Sequence, residues 1–278
     1  MFKSLFIPLV VILSLTTCDD SVDAVNCAVP LDVTNQGSRD ISVLFIGTSH
    51  TYYNELPAIV EAIGESIGDQ VYTEMSAPGG YDFERHIVLE STLKSLDSRA
   101  WDYIVLQESG WRTALPQDML ATKVFPFAAD LKNIMSEKQP SARLILYMTQ
   151  GYVGGVSAFD ADWCAAEPVV CSYEGMQERI RDTYIELSKM MGAEMAPAGM
   201  VWTALMNKDS QFLLFDADGI HPNLAGSYSN ALTIYSVIRR KELRNVFIPI
   251  GVADDDALLI QTTVADMVFQ CSPNWTEM

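Results

Sequence analysis

From position 41 onward the chain alternates between two hydrophobic periods. "ISVLFIG" is an unbroken apolar run of the kind buried on both faces of a parallel sheet, and "ELPAIVEAIGESIG" follows with Ile59, Ile63 and Ile67 at helical spacing. "QVYTEMSAPGG" reads as a second strand ending in a glycine pair, and "FERHIVLESTLKSL" as a helix. "WDYIVLQES" reads as a third strand, and "QDMLATKVFPFAADLKNIMSEK" as a helix broken or kinked near Pro126. "ARLILYMTQ", "EGMQERIRDTYIELSKMMG" and "AEMAPAGMVW" give strand, helix and strand, and "NLAGSYSNALTIYSVIRRKE" a late helix. This order predicts an α/β chain: a mostly parallel sheet of about five strands covered on both faces, in three α/β/α layers.

Two segments fall outside the alternation. Residues 151–172 are long, glycine-rich and aromatic, and a loop of that length in a compact domain is expected to be an ordered lid or substrate wall. Residues 246–278 read as a C-terminal helical extension packed on the domain. With no internal repeat or interdomain linker after residue 40, residues 41–278 are expected to form one domain.

The first 40 residues differ. Lys3 precedes an apolar stretch from Leu5 to Leu15, too short to span a bilayer comfortably, which reads as an export signal. "LTTC" resembles a bacterial lipoprotein cleavage box, which implies lipidation at Cys18 after removal of the signal (residues 1–18). Residues 19–40 then form a polar tether. A signal cleaved without lipidation is the alternative. The expected location is the cell envelope or beyond it, with membrane contact only through the lipid.

Charge and cysteine usage narrow the partners. The chain has 278 residues, 49% of them hydrophobic and only 19% charged, enough for one sizeable core. Its net charge of −18 repels phosphate backbones, which argues against nucleic acid. Export implies an oxidising compartment. Apart from Cys18, four cysteines remain: Cys164 and Cys171 flank a short loop and form the obvious pair, leaving Cys27 and Cys271 to join the two ends of the domain. Neither metal-ligand spacing nor a phosphate-binding glycine loop stands out, so no metal and no cofactor are expected.

Ligands of doubly wound sheets sit beyond the carboxyl ends of the strands. Those ends carry "GTSHT" (47–51), "APGG" (77–80), "LQESGW" (106–111) and "MTQGY" (148–152), and "FDADGIHPN" (215–223) lies near the C-terminus. Asp218 and His221, three apart, can meet on one side of a tight turn. An Asp there fixes the imidazole tautomer and stabilises the imidazolium. A serine needs such a base, because its hydroxyl is a poor nucleophile alone. Ser49 at the end of the first strand is the candidate nucleophile. Its neighbour His50 is expected to point away, because adjacent side chains diverge. Donors for an oxyanion are expected from the Ser49 N–H, from Gly79 or Gly80, and from the Gln107 amide. Trp111, Tyr152, Phe159 and Trp163 are candidate walls for a sugar or acyl group. His86, mid-helix, is expected at the surface or partly buried, Asn54 is the expected cap of the helix that follows, and Asp216 is a substitute for Asp218.

Taken in order, "FIGTSHT", "APGG", "LQES" and "DGIHP" resemble the four motif blocks of the SGNH (GDSL-like) hydrolase superfamily of esterases and lipases, over roughly residues 41–240. The resemblance implies a flavodoxin-like fold, with Ser49 as nucleophile, His221 as base, Asp218 as its orienter, and Gly80 and Gln107 in the oxyanion hole. Gly-Thr-Ser replaces the family's usual Gly-Asp-Ser or Gly-Asn-Ser, and Gln107 stands where Asn is usual. The Gln-Glu form is similar to carbohydrate acetylesterases. The expected function is therefore an exported serine esterase that removes acyl groups, chiefly acetyl, from carbohydrate. The alternatives are a lipase or thioesterase, or a glycan-binding surface lipoprotein with a vestigial triad.

Overall fold

The structure is a computed structural model that describes residues 31, 37–158 and 160–269. Cys18, Cys27, Cys271 and Phe159 lie outside the described residues, as do the signal, most of the tether and the end of the C-terminal extension. Five parallel strands form one sheet: β1 (Asp40–Ile46), β2 (Gln70–Ser76), β3 (Tyr103–Leu106), β4 (Arg143–Tyr147) and β5 (Glu194–Ala196), in the order β2-β1-β3-β4-β5. This is the flavodoxin-like order, whose direction of winding reverses between β1 and β3. Phe45 pairs with Val105 and Ile46 with Leu106, so the chain leaves both strands side by side at that reversal.

Seven helices of eight residues or more cover the sheet among the described residues: α1 (Leu56–Ser66), α2 (Glu90–Asp97), α3 (Phe125–Lys138), α4 (Tyr173–Met191), α5 (Ala198–Lys208), α6 (Leu224–Arg239) and α7 (Asp254–Phe269). Strand residues sort by parity between two cores. Val43, Phe45, Val105 and Ile145 join α1, α5, α6 and α7 on one face. Leu44, Ile46, Ile104 and Leu146 join α2, α3 and α4 on the other. That period-2 division explains why "VLFI" is apolar throughout: each face of β1 has its own core.

Three elements depart from expectation. The fifth strand stops at Ala196, and "AGMVW" opens helix α5 after Pro197; a short apolar run buried on most sides does not reveal its period. The helix expected over residues 83–96 is two, Phe83–His86 and α2, separated by an extended Leu89. Asn54 does not cap α1, whose start instead follows Glu55 in a left-handed conformation. The helix broken near Pro126 is found as Gln117–Lys123 and α3, with the break at Val124 and the proline in the first turn.

Residues 151–172 carry short turns and one six-residue helix, Ala161–Ala166, with Cys164 and Cys171 disulfide-bonded at a Cα separation of 5.4 Å. Helix α7 packs into the first core through Ala257, Ile260 and Val264. Among the described residues no helix is long and apolar enough to cross a membrane.

Candidate active site

The chain turns sharply after β1. Gly47 permits this: a Cβ there would stand 2.2 Å from Thr51 Oγ1 and 2.9 Å from Gln107 Oε1. Thr48 precedes a four-residue helix, Ser49–Tyr52, and its carbonyl accepts the Thr51 N–H at 2.9 Å. Ser49 is thus the first residue of a helix, where the backbone N–H has no intrahelical partner. Its hydroxyl lies 2.8 Å from His221 Nε2.

His221 comes from the far end of the chain, in the loop before α6. Its Nδ1 lies 2.5 Å from Asp218 Oδ2, while Asp218 Oδ1 accepts the N–H groups of Ile220 and His221, both at 2.9 Å. Burial alone would raise the Asp218 carboxyl, but the bonds from the His221 ring and these two N–H groups outweigh it and hold it down at about 2. An ionised Asp218 accepts a hydrogen bond from Nδ1–H, which leaves Nε2 with its lone pair facing Ser49. Gly219 supplies the turn at φ 69°, and Asp216, the substitute orienter, instead serves the turn by accepting the Ala217 and Gly219 N–H groups. Helix α6 starts at Leu224 with Asn223 as its cap, so Pro222 stands ahead of the cap rather than inside the first turn.

The other two histidines brace this arrangement. His50 turns from Ser49 and is buried, with Nε2 3.2 Å from the Ile220 carbonyl. A carbonyl only accepts, so Nε2 carries the proton. Burial, then the neighbouring His221, lower its pKa to about 4, which keeps it neutral. His86, expected at the surface or partly buried, is fully buried: Nε2 donates to the Gly47 carbonyl at 2.8 Å and Nδ1 accepts from Thr92 Oγ1 at 2.8 Å. Gln150 joins His50 on the Ile220 carbonyl, at 3.1 Å.

The expected oxyanion donors are arranged differently. Gly80 has φ 73°, but its N–H donates to Thr48 Oγ1 at 2.8 Å. Gln107 is buried under the turn. Its Oε1 accepts the Thr48 N–H at 2.9 Å and the Thr51 hydroxyl at 3.0 Å, and its Nε2 donates to the Glu108 carbonyl. The extra methylene that distinguishes Gln from Asn lets the amide fold back onto the nucleophile turn. Gly80 and Gln107 therefore shape the turn in this structure, and the Ser49 N–H is the donor left at the nucleophile. Glu108, also buried, accepts the N–H groups of Phe83 and Ser109 at 3.0 and 2.6 Å and so ties the start of the Phe83–His86 helix to the third block.

Of the aromatic candidates, Tyr152 is a correction: it is 3% exposed, bonded to the Trp111 backbone and stacked 6.1 Å from His50, in the core rather than on a substrate wall. Trp111 and Trp163 are half-buried against the second core. Two tyrosines not singled out in the sequence, Tyr52 and Tyr53, lie on the segment that carries Ser49. Tyr53 stacks on His221, and the Tyr52 hydroxyl lies where a Cβ on Gly79 would be 3.2 Å away. Neither carries a sequence signal, since Tyr52 ends the short helix and Tyr53 opens the turn after it, and the pattern encodes the geometry of neither.

Ser49, His221 and Asp218 thus form one chain of hydrogen-bonding contacts at the carboxyl end of a flavodoxin-like sheet, an arrangement able to move a proton from the Ser49 hydroxyl. No family model matches the sequence, and no curated protein matches it. Solved structures do. A DUF4886 family protein from Bacteroides uniformis is 18% identical with a TM-score of 0.69, over 86% of this chain and 99% of that one. A putative SGNH hydrolase from Slackia heliotrinireducens is 24% identical with a TM-score of 0.56, over 72% and 99%. An acetyl xylan esterase is 15% identical with a TM-score of 0.50, over 71% and 100%. These likenesses show that the chain has the SGNH-hydrolase fold.

Proposed function

We propose that the protein is an exported serine esterase that hydrolyses acyl esters, chiefly acetyl esters on carbohydrate. The observation that carries the reading is the chain of contacts from Ser49 Oγ through His221 to Asp218. His221 Nε2 takes the Ser49 proton as Oγ attacks the ester carbonyl, and Asp218 stabilises the imidazolium. The Ser49 N–H, at the start of its helix, faces the charge that develops on the carbonyl oxygen. His221 then returns the proton to the leaving alkoxide, and water repeats the sequence on the acyl-enzyme.

Support for an acetylated sugar comes from the Gln107–Glu108 pair and from the acetyl xylan esterase that shares the fold. Trp111, Trp163 and the exposed Tyr52 are the aromatic surfaces offered to a sugar ring. Export, with a lipid on Cys18, rests on the N-terminal sequence. The test is Ser49→Ala assayed on p-nitrophenyl acetate and on acetylated xylan. Loss of at least a thousandfold in kcat is expected, an order of magnitude set by the removal of a triad member. Wild-type activity in that variant overturns the reading, and hydrolysis of long-chain esters alone favours a lipase.

A further inference from the structure

Tyr53–Glu55 form one tight turn between the nucleophile's helix and α1. Asn54 sits at φ 52°, ψ 27° and Glu55 at φ 53°, ψ 47°. Two successive non-glycine residues in the left-handed region are rare, and such backbone persists only where its surroundings over-determine it. Here the surroundings are the His221 loop. Asn54 Nδ2 donates to the Pro222 carbonyl at 3.0 Å and to Ser227 Oγ at 2.9 Å, and Ser227 Oγ donates to the Tyr53 carbonyl at 3.4 Å. The segment that carries Ser49 thus grips the loop that carries His221, one residue beyond the base.

The turn also lays the Tyr53 ring flat on the His221 imidazole, with centroids 4.1 Å apart and planes 5° from parallel. The face of an aromatic ring is the negative part of its quadrupole. It holds a neutral imidazole by dispersion and a cationic one more strongly, through a cation–π contact. Under the serine-esterase reading, His221 becomes cationic only once it has taken the Ser49 proton, so this contact strengthens on the way to the transition state.

We propose that Tyr53 is a positioning residue for the base: its ring stacks on His221 and favours the imidazolium formed during acyl transfer, while Asn54 holds the turn that places it. The other groups around the imidazole have different duties. Asp218 occupies Nδ1, and His50, neutral, lies with its centroid 5.3 Å away.

The inference rests on the esterase reading, and its test separates the two. The full chain carrying Tyr53→Phe, Tyr53→Leu or Asn54→Ala is compared with wild type and Ser49→Ala on p-nitrophenyl acetate, with kcat and KM determined separately. Tyr53→Phe keeps the ring and is expected within twofold of wild type. Tyr53→Leu is expected to lose roughly tenfold in kcat with KM little changed. Asn54→Ala is expected to fall in the same direction. If Tyr53→Leu fails to fold, Tyr53→Met takes its place with the same expectation. Equal kcat in the Leu or Met variant and wild type overturns the proposal, as does an equal loss in Phe and Leu, which would assign the effect to the hydroxyl. A loss confined to KM overturns it too. If Ser49→Ala is fully active, the esterase reading fails first; if Ser49→Ala is dead while the Leu or Met variant is unchanged, only the inference fails.

Discussion

His50 donates from Nε2 to the carbonyl of Ile220, 3.2 Å away, and Ile220 is the residue before His221. The histidine adjacent to Ser49 therefore braces the loop that carries His221 and does not face the Ser49 hydroxyl. Because Nε2 must stay protonated and the ring is buried, His50 is held neutral, with its pKa lowered from 6.5 to about 4. The unfolded chain binds this proton below pH 6.5 and the folded chain only near pH 4. The contribution of His50 is thus fully present above pH 6.5 and is lost as pH falls toward 4. The loss amounts to roughly 3 kcal/mol. His50→Gln keeps a donor for Ile220 and does not titrate. Urea unfolding at pH 7 and pH 4.5 is expected to show the variant gaining on wild type by roughly 2–3 kcal/mol at the lower pH. At pH 7 the variant is expected to keep most of its esterase activity, whereas His221→Gln is expected to lose it; the reverse would make His50 the base.

Glu108 has the opposite sign. Burial pushes its carboxyl up to about 8, against the pull of the Phe83 and Ser109 N–H groups and of Arg112. The folded chain keeps this proton between pH 4.5 and 8 while the unfolded chain releases it. Stability from this group is therefore complete below pH 4.5 and declines as pH rises through 8, by on the order of 3–5 kcal/mol. Above pH 6.5, where the His50 contribution is constant, wild-type stability is expected to fall with pH. Glu108→Gln carries a constant penalty, since its Nε2 must face one of two N–H donors, but its unfolding free energy between pH 6.5 and 8.5 is expected to be flat. A variant that retains the wild-type slope would assign the decline to another group.

Much of this architecture was legible in the sequence. The unbroken apolar strands gave the parallel sheet, because a strand with a core on each face has no polar side. The paired Asp218 and His221 could be read because three residues is the span of one turn, and Ser49 because it ends the first strand. What could not be read depends on contacts made across the chain. His86 looks like a helix-face residue in "FERHIVLE", yet the helix breaks after it and its ring reaches the Gly47 carbonyl. Tyr53 stacks on His221 just ahead of two left-handed residues that no side-chain pattern announces. Gln107 stands at the expected strand end, but its amide oxygen turns to the Thr48 N–H and the Thr51 hydroxyl, a competition that the local sequence does not announce.

That competition makes Gln107 the most discriminating position in the site. If its amide were an oxyanion donor, removing it would lower kcat by about a hundredfold or more and leave the fold nearly as stable. In the structure its oxygen satisfies the Thr48 N–H and the Thr51 hydroxyl, both buried. Gln107→Leu fills a similar volume but strands both donors, at about 1–3 kcal/mol each before any relaxation. The expected outcome is a lowered midpoint of urea unfolding together with reduced kcat, because the turn that carries Ser49 loses its support. Thr51→Val, which removes one of the two donors along with its bond, is expected to soften the stability loss when combined with Gln107→Leu. A Gln107→Leu protein with wild-type unfolding and strongly reduced kcat would return the amide to the oxyanion hole and mean that it rotates toward substrate on binding.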